Sequence, residues 1–302
     1  MNPPSANRTV RDLVQMTADY FAEKGVESAR LNAERLLADV LGVTRMELFM
    51  QHDRPVLGDE LAGYRAYVKR RAAGEPLQTI LGITEFYSRP FRVEPGVFIP
   101  RPETEHLVEA GTALLAPEDH RLLAPVAVEI GAGTGIIGIS LACEIAQLTV
   151  HATDINPAAI KLAGHNAHSL GVDGRVDFHL GSRFDPLPAH LKGQADLLVS
   201  NPPYIRSADL ADLPVEVAEH DPHTALDGGD DGLVFYRALA SKMGQWLRPG
   251  GHIAVEIGDD QAEDVSAIFA ASGGEDIQVI QDYTHRDRVV TARVGRQEAE
   301  NG

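Results

Sequence analysis

The stretch VAVEIGAGTGIIG, residues 126–138, constrains the fold of this chain more than any other. An apolar run leads into Gly131, Gly133 and Gly135, and a helical pattern follows at once. Glycine has no Cβ, so the backbone can turn tightly here and come close to a ligand. The spacing is G-x-G-x-G, which lacks the longer interval of the dinucleotide fingerprint, so a nicotinamide cofactor is not the first reading. Beyond the glycines the pattern alternates: LTVHATD strand, PAAIKLAGHNAHSLG helix, RVDFHLG and ADLLVSN strands. Then come GLVFYRALASKMGQWL helix, HIAVEIG strand, QAEDVSAIFAAS helix and two final strands, DIQVIQDY and RVVTARV. Such alternation predicts an α/β fold with a mostly parallel sheet covered on both faces.

The N-terminal third has a different period. Val10, Leu13, Val14, Thr17 and Phe21 form one apolar helical face ending at Gly25; Leu36 to Leu41 form a second, ending at Gly42. Thr44-Arg45-Met46-Glu47 has the form of a capping box, and ELAGYRAYVKRRAAG supplies a fourth helix with cations near its C-terminal end. Residues 1–82 are expected to form a small helical bundle, either a packing extension or a device for holding a macromolecular substrate. Aromatic and β-branched residues broken by prolines suggest a hairpin-like linker over 83–102, and 103–302 is left as the α/β domain. The tail GRQEAENG is expected to fray.

Composition narrows the partners. A net charge of -17, from 44 acidic against 27 basic residues, disfavours a chain that holds nucleic acid through its phosphates, so no direct nucleic-acid binding is expected. Cys143 is the sole cysteine; an intrachain disulfide is impossible, and a small buried apolar role is expected. The N-terminus lacks an apolar signal core, and no apolar run is long enough to span a bilayer. A cytoplasmic protein without a membrane partner is expected.

Two further segments carry chemistry. HATDIN ends the second strand with Asp154, about twenty residues past the glycines, where an acid can accept both hydroxyls of a ribose. Asp154 could equally cap the helix that starts at Pro157, and both can hold. VSNPPYI follows another strand: Pro202 and Pro203 lack N–H and fix φ, which makes a stiff loop. The Asn201 side-chain carbonyl and the Pro202 backbone carbonyl are two acceptors suited to a substrate NH₂, and Tyr204 can pack flat on the planar group that carries it. Adenine N6, guanine N2 and a glutamine amide all fit that description.

The motifs EIGAGTG, ATDINPAAI and SNPPYI resemble those of S-adenosylmethionine-dependent methyltransferases built on a seven-stranded sheet. That resemblance implies six parallel strands and one antiparallel, a Rossmann-like methyltransferase domain. It gives Glu129 and the loop Gly131, Ala132, Gly133, Thr134 and Gly135 the methionine end of the cofactor. Asp154 takes the ribose, Ile155 is a further cofactor-binding residue, and Ser182 and Arg183 take the adenine side. Over nearly its whole length the chain resembles the release-factor glutamine methyltransferases, through EPLQTILGITEFYSRPFRVEPGVFIPRPETE, VSNPPYI, TALDGGDDGL, VEIGDDQ and DRVV. FIPRPETE fits this family better than the sibling family acting on a ribosomal protein. The implied reaction is methyl transfer to N5 of the glutamine in the Gly-Gly-Gln segment of peptide chain release factors. Asn201 and Pro202 would hold the amide and Asn201 would also border the cofactor. Pro203, Tyr204 and Phe98 would wall the amide, and the helical bundle would contact the release factor. The alternative is an exocyclic-amine methyltransferase acting on nucleic acid.

Some segments depart from the family pattern or invite a blander reading. Ser182 and Arg183 stand where an acid and an apolar residue would often meet adenine, although a guanidinium can stack on a base. Glu129 replaces a more usual aspartate. Asp221 receives no role. His220 and His223 flank it without a helical frame, so no metal is expected. DGGDDG, residues 227–232, is read as a mobile turn, and KRRAAGEP as the solvated end of a helix.

Overall fold

The computed structural model describes residues 8–116 and 124–295; the expected fraying of the tail concerns, from 296 on, residues outside that range. The chain divides into two compact units, Met1–Ile83 and Thr84–Gly302.

The first unit is helical: α1 (Val10–Glu23), α2 (Ala29–Leu41), α3 (Arg45–Met50), α4 (Gly58–Ala72) and α5 (Leu77–Leu81). Two capping boxes start α1 and α3. Thr9 and Asp12 exchange bonds of 3.0 and 3.2 Å, and Thr44 and Glu47 do the same at 2.8 and 3.2 Å. Phe21, Leu36, Leu37 and Tyr64 are sealed between the helices. KRRAAGEP corrects one expectation. Arg71 is buried, giving its Nε to Asn32 Oδ1 at 2.8 Å and an N–H to the Glu75 carbonyl at 2.9 Å, so this turn is tied into the core of the unit.

A hairpin, β1 (Ile83–Phe86) and β2 (Arg89–Arg92), turns through Tyr87 and Ser88, both at positive φ. That is the handedness a two-residue hairpin turn needs, here adopted by two residues that are not glycine. The second unit continues with α6 (Glu105–Leu115), β3 (Val126–Ile130), α7 (Ile136–Glu144), β4 (Thr149–Asp154), α8 (Pro157–Ser169), β5 (Val176–Leu180) and β6 (Ala195–Ser200). Next are α9 (Val215–Ala218), α10 (Val234–Trp246), β7 (Leu247–Glu256), α11 (Ala262–Ala271), β8 (Gly274–Gln281) and β9 (Asp287–Val294).

The seven-stranded sheet has the order β5-β4-β3-β6-β7-β9-β8. All pairs from β5 to β7 are parallel, and β9 runs antiparallel to both neighbours, so six strands point one way and β9 the other. Every residue of β6 is buried, which is why its sequence shows no polar alternation. Helices α6 and α7 seal one face with Leu107, Val108, Ile139 and Leu141, while α10 and α11 seal the other with Tyr236, Leu239, Met243 and Phe269. Cys143 is half-buried against the first of these cores, more open than expected. The strand order reverses between β3 and β6, and ligands of open α/β sheets sit at the carboxyl ends of strands flanking such a point. The glycine loop leaves β3 there and the Asn-Pro-Pro-Tyr loop leaves β6.

Candidate active site

A cleft opens at that switch point. Its wall brings together Phe98, Gly131, Ala132, Gly133, Thr134, Asp154, Ile155, Ser182, Arg183 and the whole of Asn201–Tyr204, from five separate stretches of sequence. Two residues expected at the methionine end are not on the wall. Glu129 is 0% exposed behind the loop, where its Oε2 accepts from Gly138 N at 3.0 Å. Gly135 is packed inward: a Cβ there would stand 2.7 Å from Ile139 Cδ1 and 3.0 Å from Ala163 Cβ. The first glycines shape the ligand side and the third lets α7 close on α8.

The loop is held from β4. Gly131 N and Ala132 N both donate to the Thr153 carbonyl at 2.9 Å, and Gly133 N donates to Asp154 Oδ2 at 2.8 Å. Asp154 Oδ1 accepts from Asn156 N at 2.8 Å. The cap of α8 is Asn156, whose Oδ1 accepts from Ala158 N at 2.9 Å with Pro157 at the first helical position. Asp154 therefore orders the turn without capping the helix. Asn166, buried in α8, donates to the Thr134 carbonyl at 2.9 Å and exchanges bonds with both backbone groups of Arg92. Its role was invisible in sequence because its partners lie 32 and 74 residues away.

Burial dominates the electrostatics under the loop. It pushes the Glu129 carboxyl up to about 8, against the Gly138 N–H that favours the anion, and the charge of Asp154 pushes the same way as burial. Glu129 Oε1 has no hydrogen-bond partner, so nothing but the Gly138 N–H compensates the burial of a charge there. On the side where adenine is expected, Arg183 takes a positive φ and lays its guanidinium 5.7 Å from the ring centre of Phe235, an aromatic of α10 that also lines the cleft.

Across the cleft, Asn201 donates from Nδ2 to Thr104 Oγ1 at 3.2 Å. Tyr204 is braced by its backbone: its carbonyl accepts from Gln261 Nε2 at 3.0 Å. Burial, reinforced by the charge of Glu256, holds the Tyr204 phenol protonated by raising its pKa. The DGGDDG segment is a packed support for this loop, not the mobile turn expected. Asp227 Oδ1 accepts from Ser207 and Gly229 N, Ile205 bridges to Asp227, and a Cβ on Gly228 would stand 2.8 Å from Tyr204 Cα.

Asp221, given no role from sequence, fastens the FIPRPETE segment. Its Oδ1 accepts from Ile99 N at 3.0 Å and its Oδ2 pairs with Arg101, whose guanidinium lies 5.3 Å from the ring centre of Phe98. Burial raises the Asp221 pKa and Arg101 opposes that rise. Phe98 thus owes its place on the wall to an acid more than a hundred residues later.

The residues fit a nucleoside with an extended polar end. Each Asp154 oxygen has one N–H donor and lone pairs to spare, Ile155 offers an exposed apolar face beside it, and the Gly133 Cβ position faces open space. Among the described residues no helix is long and apolar enough to cross a membrane, and no group of three or more His, Cys, Asp or Glu is placed to hold a metal ion.

Comparison with known proteins agrees with this architecture. Residues 12–82 match the family model of the PrmC N-terminal domain and 89–243 that of the methyltransferase small domain. A release factor glutamine methyltransferase of Geobacter sulfurreducens is 44% identical over 287 residues, 95% of this chain and 97% of that protein. One of Agrobacterium fabrum is 39% identical over 269 residues, 89% of this chain and 92% of that protein. A solved protein-(glutamine-N5) methyltransferase (release factor-specific) of Alicyclobacillus acidocaldarius is 26% identical, with 68% of this chain and 99% of that chain covered and a TM-score of 0.40. Identity of the order seen in the first two, sustained from end to end, is shared ancestry of both units, and the chain belongs to the release factor glutamine methyltransferase family.

Proposed function

We propose that this chain transfers a methyl group from S-adenosylmethionine to N5 of the glutamine in the Gly-Gly-Gln motif of peptide chain release factors, and that the N-terminal helical unit contacts the release factor. The observation that carries this reading is the polarity of Asn201: its NH₂ is engaged by Thr104, so its Oδ1 remains to accept from a substrate NH₂. S-adenosylmethionine, when bound, supplies a sulfonium-activated methyl. Asp154 would hold its ribose with Ile155 beside it, Ser182 and Arg183 would border its base, and Gly131 to Thr134 would border its methionine end.

The rest is work of the chain's own groups. Asn201 Oδ1 and the Pro202 carbonyl accept the two N–H bonds of the glutamine amide and fix the nitrogen's orientation. An amide nitrogen is a poor nucleophile because its lone pair is delocalised, so the useful contacts are those that strengthen as the nitrogen becomes cationic. Two fixed acceptors do that, since each N–H grows more acidic as charge develops. The proton is then lost through those acceptors or to water, and no strong base is required beforehand. Tyr204, held neutral, and Phe98 supply the flat apolar walls. The setting proposed for this reaction is the cytoplasm.

Incubation with labelled cofactor and a release factor, its Gly-Gly-Ala variant, or total nucleic acid tests the reading. Label is expected in the wild-type factor alone. Label in nucleic acid, or equally in the variant factor, overturns it.

A further inference from the structure

A carboxyl stands beside Asn201 that the reaction above does not use. Glu256 ends β7, which pairs in parallel with β6 through Ser200 and Val255, so Glu256 and Asn201 sit side by side at the rim of the sheet. Val199 and Ala254, two residues earlier, pack into the core on the α6 side, and strand alternation carries Asn201 and Glu256 to that side. Thr104, at the start of α6 and fully buried, meets both: Oγ1 accepts from Asn201 Nδ2, and the Thr104 hydroxyl and Asn201 amide approach the Glu256 carboxyl and favour its ionised form. Glu256 is 2% exposed and its Oε2 has no hydrogen-bond partner within bonding distance.

A carboxylate only accepts, a hydroxyl has one proton to give, and an amide has a donor end and an acceptor end. With Glu256 ionised, the Thr104 proton goes to the carboxylate, its oxygen is left to accept, and Asn201 must show it the NH₂. Oδ1 then faces the cleft. With Glu256 protonated, the carboxyl can donate to Thr104, whose own proton becomes free for Asn201 Oδ1. The amide can then turn over and meet the substrate NH₂ donor to donor.

We propose that Glu256 is a positioning residue which, through the Thr104 hydroxyl, sets which end of the Asn201 amide faces the substrate, its ionised form being the active one. The proposal rests on Asn201 being the acceptor for the substrate amide. From β9, Arg288 favours the anion, tempered by Asp282 3.2 Å away from it; from the turn before α6, Glu103 opposes the anion. The phenols of Tyr204 and of Tyr236, on α10, also face Glu256. Burial outweighs Arg288 and raises the carboxyl to about 7, within the range of ordinary buffers.

The test measures kcat against pH for the full chain with saturating cofactor and release factor. In the wild type, kcat is expected to rise with pH through one acid limb near neutrality. Glu256→Gln removes the limb, and Arg288→Gln moves it to higher pH. Thr104→Val removes it and lowers kcat by about 10-fold or more, while Thr104→Ser, which keeps the hydroxyl, retains it. The Asn201 side-chain NH₂ resonances, read without substrate, are expected to shift with the same midpoint in the wild type and to be flat in Glu256→Gln. A limb or an NH₂ titration that persists unchanged in Glu256→Gln overturns the proposal; should that variant not fold, an unmoved limb in Arg288→Gln does so. If the wild type methylates no release factor at any pH, the proposed function fails, and the NH₂ titration still judges the relay.

Discussion

Asn201 and Asp154 both line the cleft, Asn201 after β6 and Asp154 at the end of β4, and their substitutions should separate its two halves. Asn201→Ala removes the acceptor proposed for the substrate amide; kcat is expected to fall by about 100-fold, the scale of a lost transition-state hydrogen-bond partner, with cofactor affinity nearly unchanged by calorimetry. Equal loss of both would move Asn201 into the cofactor site. Asp154→Asn keeps the shape but sets an NH₂ against one of the two backbone N–H groups the carboxylate now accepts. Cofactor affinity should weaken by roughly 10- to 100-fold, the worth of a charged hydrogen bond. Wild-type affinity in that variant would place the ribose elsewhere. Both residues stand out in the sequence because they lie in contiguous motifs, whereas the side chains that hold Asn201 and the Phe98 segment in place are distant in sequence. Thr104 is 97 residues from Asn201, and Asp221 is 122 from Ile99. A lone threonine before a helix, or an aspartate between two histidines, carries no local mark of such a partner.

At the scale of elements, the strands and helices of the second unit follow their sequence pattern closely, since β3 and β6 are mostly apolar, β4 carries the β-branched Thr149, Val150 and Thr153, and α7 and α8 begin at Gly135 and Pro157. What the pattern does not carry is the way loops lean on one another. Gly232, at a φ of +72°, has room for no Cβ: the added carbon would stand 2.5 Å from the Tyr204 carbonyl oxygen and 2.7 Å from Gln261 Nε2. The DGGDDG segment needs its glycines because another backbone lies against it, a reason that a search for calcium-loop spacing could not find. Gly232→Ala should therefore cost about 1–3 kcal/mol by overpacking and positive-φ strain. It should also lower kcat by displacing Tyr204, with the melting temperature and turnover read on the same preparation. Gln261→Ala tests the brace from the other side: the Tyr204 carbonyl, which accepts from it, and Gly258 N, which donates to its Oε1, each lose a partner. The cost of the stranded groups is again about 1–3 kcal/mol. Full turnover in both variants would show that the loop holds its shape without support.

For the whole molecule, two acids buried at the rim of one sheet tie stability to pH. Glu129 and Glu256 ionise at about 8 and about 7 in the folded chain, against 4.5 for an ordinary glutamate, with burial the main cause in each. Between 4.5 and those values the folded state keeps protons that the unfolded chain has released, so folding stability falls as pH rises through this window. The fall is bounded by about 1.4 kcal/mol per pH unit for each group, and protonation at low pH removes it. Self-repulsion of a chain with a net charge of -17 has the same sign, since more carboxylates ionise as pH rises, so the wild-type curve alone cannot assign the effect. Glu129→Gln separates them, because it is isosteric, keeps an acceptor for Gly138 N and changes the net charge by at most one. Chemical denaturation at about pH 6 and pH 8.5, the two sides of most of the expected ionisation, should show a smaller loss of stability in the variant than in the wild type. An equal loss in both would mean that Glu129 is already ionised at pH 6 and that the interior under the glycine loop pays for a charge there.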